Sequence, residues 1–221
     1  MWRFTTRLYR SVNPIQALVD SLYPIDAAAR AANLPRNEVQ EYFRGGNYSP
    51  VFGELSFEAG EEIFAHAFRL FELSTKPAFV DLGSGLGKLC IQAALTRPND
   101  LSRILGIELS RTRHEIAEKA LKELRNTGRK YPPMEFLNQD FMQVSLPSST
   151  PSIVFCASLT FPSDVVEAVG NKCMNELSTG SILYSFRSVE KLSHLQLKDP
   201  LHVSTSWGVR SPLNTYRIDH N

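Results

Sequence analysis

The sequence has few of the residues and patterns that mark several protein classes. Its 221 residues include only three cysteines, in no CxxC or paired-histidine spacing, which argues against a disulfide framework and a metal site. No run of roughly 18 apolar residues occurs, so no membrane span is predicted. Because 24 Lys and Arg balance 23 Asp and Glu, charge excludes a polyelectrolyte chain and gives no general argument for a polyanionic partner.

The N-terminus lacks acidic residues. No Asp or Glu precedes Asp20, whereas Arg and hydroxyl residues are frequent there. This composition is typical of a mitochondrial presequence, and a solvated basic arm that leads into a helix is the alternative interpretation. We therefore divide the chain into a basic, helical extension (residues 1–44) and one folded domain (residues 45–221).

Strand and helix patterns alternate over about 110 residues of this domain. Short apolar runs predict strands at 77–82, 102–108, 134–137, 152–156 and 181–186. Helical periodicity predicts helices at 14–32, 57–71, 88–96, 111–129 and 164–177. The alternation predicts an α/β fold with a doubly wound, mostly parallel Rossmann-like sheet. Strand-like sequence at 201–206 and 213–218 predicts an antiparallel C-terminal edge.

A glycine-rich loop follows the first of these strands. The segment Asp81-Leu-Gly83-Ser-Gly85-Leu-Gly87 leads directly into a helix, where backbone amides can face a ligand. A dinucleotide fingerprint would need Gly or Ala at position 88, which is Lys88. The pattern D-x-G-x-G-x-G instead resembles the first motif of the S-adenosylmethionine-dependent methyltransferases.

Two further acids follow the next two strands. Glu108 lies 21 residues after Gly87, at the spacing of an acid that accepts hydrogen bonds from ribose hydroxyls. Asp140 precedes Phe141, a pair suited to the amino group and the face of adenine. The loop and the two acids lie at the ends of successive strands, so they predict a nucleoside-containing ligand.

Segments on both sides of the glycine loop indicate which type of methyltransferase the chain resembles. They are Tyr48–Phe57, Asp81–Gly87, Phe155–Phe161, Ser204–Trp207 and Tyr216–Asp219. In this order they resemble the non-SET histone lysine methyltransferases, the family named for disruption of telomeric silencing (Dot-one type), over about residues 45–219. The resemblance implies that the cofactor is S-adenosylmethionine, that the substrate is a histone or nucleosomal lysine, and that the protein is nuclear. The composition of the N-terminus leaves a mitochondrial location as the alternative.

The resemblance also implies a role for each matching residue. The cofactor would be bound by Phe52 and Glu54 at its methionine end, by Asp81, Gly83, Gly85, Gly87 and Lys88 around the loop, by Glu108 at the ribose, and by Asp140 and Phe141 at the adenine. Tyr48, Phe155 and Trp207 would line the lysine channel, with Ala157 beside the transferred methyl group.

Four positions depart from the family pattern. Ala157 replaces an asparagine, Leu55 a hydroxyl residue and Lys88 a glutamine, and Leu213 stands near an expected tyrosine. These departures leave a second hypothesis open, a catalytically impaired protein that acts as a binding or assembly module. A third, a methyltransferase acting on RNA or a small molecule, is disfavoured because no Asn/Asp-Pro-Pro-Tyr motif follows the fourth strand.

The densest basic segment offers little for nucleic-acid binding. Residues 111–130 carry seven Lys or Arg and three Glu. A mixed helix face of this kind is typical of a solvated surface, so any nucleic-acid contact is expected to be weak. The oligomeric state stays open.

Overall fold

The computed structural model describes residues 13–43, 49–72, 74–198, 200–205 and 208–220. The α-helices within these residues are α1 (Pro14–Ser21), α2 (Ala27–Ala32), α3 (Arg36–Tyr42), α4 (Phe57–Leu70), α5 (Lys88–Thr96), α6 (Arg111–Asn126) and α7 (Ser163–Glu176). The strands are β1 (Ala78–Leu82), β2 (Arg103–Ile107), β3 (Met134–Leu137), β4 (Ser152–Cys156), β5 (Ile182–Ser185), β6 (Leu201–Thr205) and β7 (Gly208–Arg217). None of the helices in this part of the chain has the length and apolar character needed to cross a bilayer.

The strands form one sheet in the order β3-β2-β1-β4-β5-β7-β6. The first five are parallel, and β7 pairs antiparallel with both β5 and β6. The predicted doubly wound sheet with an antiparallel C-terminal edge is thereby confirmed. The strand order reverses between β1 and β4, and ligands of such sheets bind in the crevice at the carboxyl ends of the strands there.

Strand residues alternate between two hydrophobic cores, one on each face of the sheet. Phe79 and Ile104 pack with α4, α5 and α6, whereas Val80 and Leu105 pack with α7. Strands buried on both faces read as continuous apolar runs, as β1 and β4 do. This burial fixes the register of the sheet and so the position of the strand ends.

The N-terminal extension differs from the prediction at two points. The helix expected over 14–32 is wrong as a single element, because α1 ends at Ser21 and α2 begins at Ala27, with Pro24 between them. Proline has no N–H to continue a helix and clashes with the preceding turn. Helix α3 was not predicted. Its short amphipathic sequence gives a weak periodic signal, and its position depends on contacts with distant residues described below.

The extension packs onto the domain. Val19 and Leu22 belong to the core with α4 to α6, and Ala27 and Ala31 pack against Leu86 and other residues. Tyr23 donates a hydrogen bond to the Leu86 carbonyl at 3.0 Å. The boundary proposed between residues 44 and 45 falls within 44–48, outside the described residues, and stays a prediction.

Candidate functional site

The glycine loop lies over the end of β2. The N–H groups of Gly83 and Ser84 both donate to the Ile107 carbonyl, at 2.8 and 3.0 Å. Gly85 has φ +55°, and a Cβ there would come within 3.1 Å of the Phe52 ring. A side chain at this position would be strained and would displace that ring. At Gly83 and Gly85 the loop thus presents backbone to the crevice, and Ser84 and Leu86 add side chains to the lining.

Gly87 allows close packing against a neighbouring ring. Its φ is +74°, and a Cβ would lie 2.4 Å from the ring of Phe136. It permits close contact between the start of α5 and the β3 side of the sheet, and it does not line the cavity described below. Its predicted contact with the cofactor therefore stays a prediction that the geometry does not favour.

Glu108 is buried at the end of β2 and is already engaged with the loop. Its Oε2 accepts from the Gly85 N–H at 2.8 Å, and its Oε1 accepts from the Ser110 N–H at 2.8 Å. The guanidinium of Arg113 lies 3.9 Å from Oε1. Burial raises the pKa of Glu108, and Arg113 and the two N–H groups oppose that rise. Each carboxylate oxygen keeps accepting capacity for a hydroxyl donor.

Asp81 is the second buried carboxyl of the site. Burial, and then the negative charge of Glu108, raise its pKa to about 8. The Cys90 thiol is 4.0 Å from its Oδ2, and burial raises the pKa of that thiol well above its usual value. Near neutral pH Asp81 is therefore mostly protonated in the ligand-free protein.

Asp140 and Phe141 follow β3 at the same edge. Asp140 Oδ1 accepts from the Met142 N–H at 2.8 Å, which begins a short 3₁₀ helix. The ring of Phe141 stacks on that of Phe161, with centroids 5.8 Å apart. The Asn138 amide donates to the carbonyls of Glu108 and Leu109, joining the loops after β2 and β3.

Residues 49–55, here called the cover loop, contribute to the lining of the site. Leu55 forms an isolated bridge with Thr205 of β6. The two oxygens of Glu54 lie 3.0 Å from Lys88 Nζ, which is also 5.4 Å from the ring centroid of Tyr23. The positive charge of Lys88, which was predicted to lie beside the cofactor, is thus paired with the carboxylate of Glu54.

These residues enclose a cavity of about 600 Å³ at the carboxyl ends of β1 and β4. Its volume falls within the range of small-molecule sites. Sequence-predicted residues in its lining are Phe52, Glu54, Asp81, Gly83, Gly85, Lys88, Glu108, Asp140, Phe141, Phe155 and Ala157. Tyr48 and Trp207 lie outside the described residues.

Four apolar residues of the lining, Leu55, Phe155, Ala157 and Leu159, are here called the apolar wall. Phe155 is buried, and its ring meets that of Phe186 edge-on at 6.1 Å. Leu159 remains 44% exposed, so this wall reaches the surface. Leu213 is fully buried in the sheet core opposite Leu201.

Several lining residues were not predicted individually, among them Ser84, Phe161 and Arg113. Ser84 and Phe161 gave no separate signal. Arg113 did, because it falls on the buried face of α6, whose other members are Ile116, Ala117, Ala120, Leu121 and Leu124. A charged residue on an apolar stripe indicates a specific partner.

A known family model matches most of the chain. The model of a family described as "Histone methylation protein DOT1" matches residues 30–206. No curated protein matches the chain.

Solved structures share the fold. The magnesium protoporphyrin IX methyltransferase of Synechocystis PCC 6803, crystallised with S-adenosylmethionine, is 17% identical, with a TM-score of 0.54 over 94% of this chain and 99% of that one. A methyltransferase of Geobacter sulfurreducens is 16% identical, with a TM-score of 0.56 over 96% and 92%. A Listeria monocytogenes protein assigned to class I S-adenosylmethionine-dependent methyltransferases is 13% identical (TM-score 0.54, 74% of this chain), and the chain spans 61% of its length. The fold is that of the class I methyltransferases.

Proposed function

Because the chain belongs to the DOT1 histone methylation family, which matches residues 30–206, we propose that it is an S-adenosylmethionine-dependent methyltransferase whose acceptor is a protein lysine, in a histone by family membership. One observation carries the proposal. A single cavity joins the glycine loop and the carboxyl groups of Asp81, Glu108 and Asp140 to an apolar wall that reaches the surface.

The residues present fit the cofactor. The hydroxyl of Ser84, in the glycine loop, is buried and has no hydrogen-bond partner among the described residues, so the loop has donor and acceptor capacity to spare. Glu108 would hold the ribose, Asp140 and Phe141 the adenine, and Asp81 with the loop backbone the methionine part. When bound, S-adenosylmethionine supplies an electrophilic methyl group on a sulfonium.

The apolar wall supports the proposal that the methyl acceptor is a lysine amine. A lysine amine must be neutral to attack, and apolar surroundings disfavour the ammonium form by desolvation. Phe155 and Leu55 provide such surroundings, and Ala157 adds no polar side chain. Catalysis then depends mainly on alignment of the amine and exclusion of water. Tyr48 and Trp207 are proposed to complete the channel, on the family resemblance alone.

The second candidate function is a module that binds the cofactor without methylating. The observation that favours it is Ala157, which lacks the side-chain amide expected to orient the amine. Such a protein would bind S-adenosylmethionine and a partner protein, with no transfer. Its location would follow the partner, in the nucleus by family or in mitochondria if residues 1–13 act as a presequence.

The two candidates are distinguished by binding and transfer measured together. We expect S-adenosylmethionine to bind in isothermal titration, and a radiolabelled methyl group to appear on lysine in histone octamers or nucleosomes. Asp81→Ala should reduce both signals, whereas Glu115→Ala, on the exposed face of α6, should leave both unchanged. Binding without transfer to histones would favour the module. Transfer to RNA in place of protein would contradict the lysine assignment.

A further inference from the structure

Arg113 is a buried cation that connects three separate segments of the chain. Only 5% of the surface of Arg113 is exposed to solvent. The Nε donates to the Ala31 carbonyl at the end of α2, at 3.1 Å, and Nη2 donates to the Pro50 carbonyl in the cover loop. Nη1 faces Glu108 at 3.9 Å. The guanidinium carbon also lies 5.2 Å from the ring centroid of Phe52.

These contacts depend on the several N–H donors of the guanidinium, which distinguish arginine from lysine. A guanidinium offers five donors in a planar fork, so one side chain can bind acceptors in several directions. Burial of a cation is costly unless it is paired and hydrogen-bonded. Here the burial is compensated by two carbonyls and a carboxylate that belong to three parts of the site.

A second buried group ties the N-terminal helices to the same place. Glu38 of α3 accepts from the hydroxyls of Ser110 and Thr112 and from the Thr112 N–H. Ser110 is the N-cap of α6, two residues after Glu108. A carboxylate at a helix N-terminus is favourably placed toward the helix dipole. Helices α2 and α3 therefore both hold the turn that carries Glu108.

We propose that Arg113 is a positioning residue that presets Glu108 and the cover loop for the cofactor, and that through Arg113 and Glu38 the N-terminal helices are part of the cofactor site. This inference rests on the proposed binding of S-adenosylmethionine. Arg113 acts on Glu108 by charge and on Pro50 and Ala31 by directed hydrogen bonds. The two actions can be separated by substitution.

Two variants and a control test the inference. Arg113→Lys keeps a positive charge near Glu108 but loses the fork, and Arg113→Gln loses both. Arg125→Gln, on the exposed face of the same helix, is the control. Isothermal titration with S-adenosylmethionine at several pH values measures affinity. Hydrogen exchange of residues 49–55 and of α2 and α3, without ligand, measures how firmly those segments are held.

We expect Arg113→Lys to bind about tenfold more weakly than wild type, by the same factor at every pH, with faster exchange in the cover loop. Arg113→Gln should bind up to about a hundredfold more weakly at the lowest pH tested, and the loss should become smaller as pH rises. Without the cation, Glu108 protonates more readily beside Asp81 and Glu38, the other acids that face it. Arg125→Gln should match wild type in all measurements.

Several outcomes would overturn the inference. Wild-type affinity and exchange in both Arg113 variants would show that the contacts have no consequence. Equal, pH-independent losses in both variants would indicate a merely structural role. If wild type itself binds no S-adenosylmethionine, the proposed function fails and the cofactor part of this inference with it. The exchange measurement then still decides whether Arg113 holds the cover loop and the helices.

Discussion

The buried carboxyl of Asp81 makes cofactor binding a proton-linked event. With a pKa of about 8, most Asp81 side chains are protonated at about pH 7. S-adenosylmethionine carries a net positive charge from its sulfonium and ammonium groups. A cation within about 4–6 Å favours the carboxylate form. We therefore expect binding to release up to about one proton from Asp81 at about pH 7.

The same linkage sets the pH dependence of affinity. For each proton released, affinity rises up to about tenfold per pH unit, so it should increase steeply from about pH 5.5 to about pH 7.5. Above that window the α-amino group of the cofactor itself titrates, near about 7.7–8.0. In Asp81→Asn, which cannot ionise, the part of this slope due to Asp81 should vanish. Glu108, Cys90 and Arg113 are present in both proteins, so the difference isolates Asp81.

Isothermal titration in two buffers measures the released proton directly. The observed enthalpy should differ between phosphate and Tris in wild type, in proportion to the buffers' ionisation enthalpies. In Asp81→Asn the difference should be smaller, by up to about one proton at about pH 7. Equal proton numbers in the two proteins would refute the reasoning, since Asp81 would then not change its protonation state on binding.

Stability without ligand gives an independent check of the same pKa. The unfolded chain releases the Asp81 proton near pH 3.8, whereas the folded protein retains it to about pH 8. The folded state therefore binds more protons across this interval, and the contribution of Asp81 to the free energy of unfolding falls as pH rises through it. Thermal unfolding of wild type, compared with Asp81→Asn, should show this fall. A pH-independent difference in Tm between the two proteins would contradict it.

Four further outcomes are expected. Glu108→Ala should weaken S-adenosylmethionine binding about ten- to a hundredfold, because charge-assisted bonds worth about 1.5–3 kcal/mol are lost; unchanged affinity would contradict its assignment. Gly87→Ala should lower the free energy of unfolding in urea by about 2–4 kcal/mol, from positive φ and a clash with a neighbouring ring; a neutral effect would refute that packing role. Ala157→Asn should raise methyl transfer to nucleosomes about five- to a hundredfold, if one orienting contact of about 1–3 kcal/mol is restored, and no gain would favour the binding module. Residues 1–13 fused to a fluorescent protein should direct it to mitochondria if they form a presequence, and nuclear or diffuse signal would exclude that.

The fold could be predicted from local patterns. The observed strands begin and end within one residue of the predicted bounds for β1 to β5, because buried parallel strands are continuous apolar runs between polar segments. The glycine loop and the acids after β2 and β3 could be placed for the same reason. Parallel strands present their carboxyl ends at one edge, so residues that follow consecutive strands meet there.

The connections between distant segments could not be predicted. Glu38 contacts Ser110 and Thr112 across more than 70 residues, and no periodic pattern encodes which helix reaches which strand end. The balance of Lys88 by Glu54 was missed for the same reason. Arg113 carried a local signal, as a charge on an apolar helix face, but the sequence alone does not reveal its acceptors at Ala31 and Pro50.

The cavity combines acidic and apolar lining residues, and this combination indicates what the change at Ala157 affects. Asp81 and Glu108 favour a cationic ligand. The apolar wall, with Phe155 and Leu55, disfavours the ammonium form of an incoming amine. Replacement of a polar residue by Ala157 leaves that desolvation in place and removes only an orienting contact. Ala157→Asn should therefore change kcat, which reports alignment, and leave the pH dependence of transfer as it is in wild type. A shift of that pH profile would mean that residue 157 governs amine protonation instead.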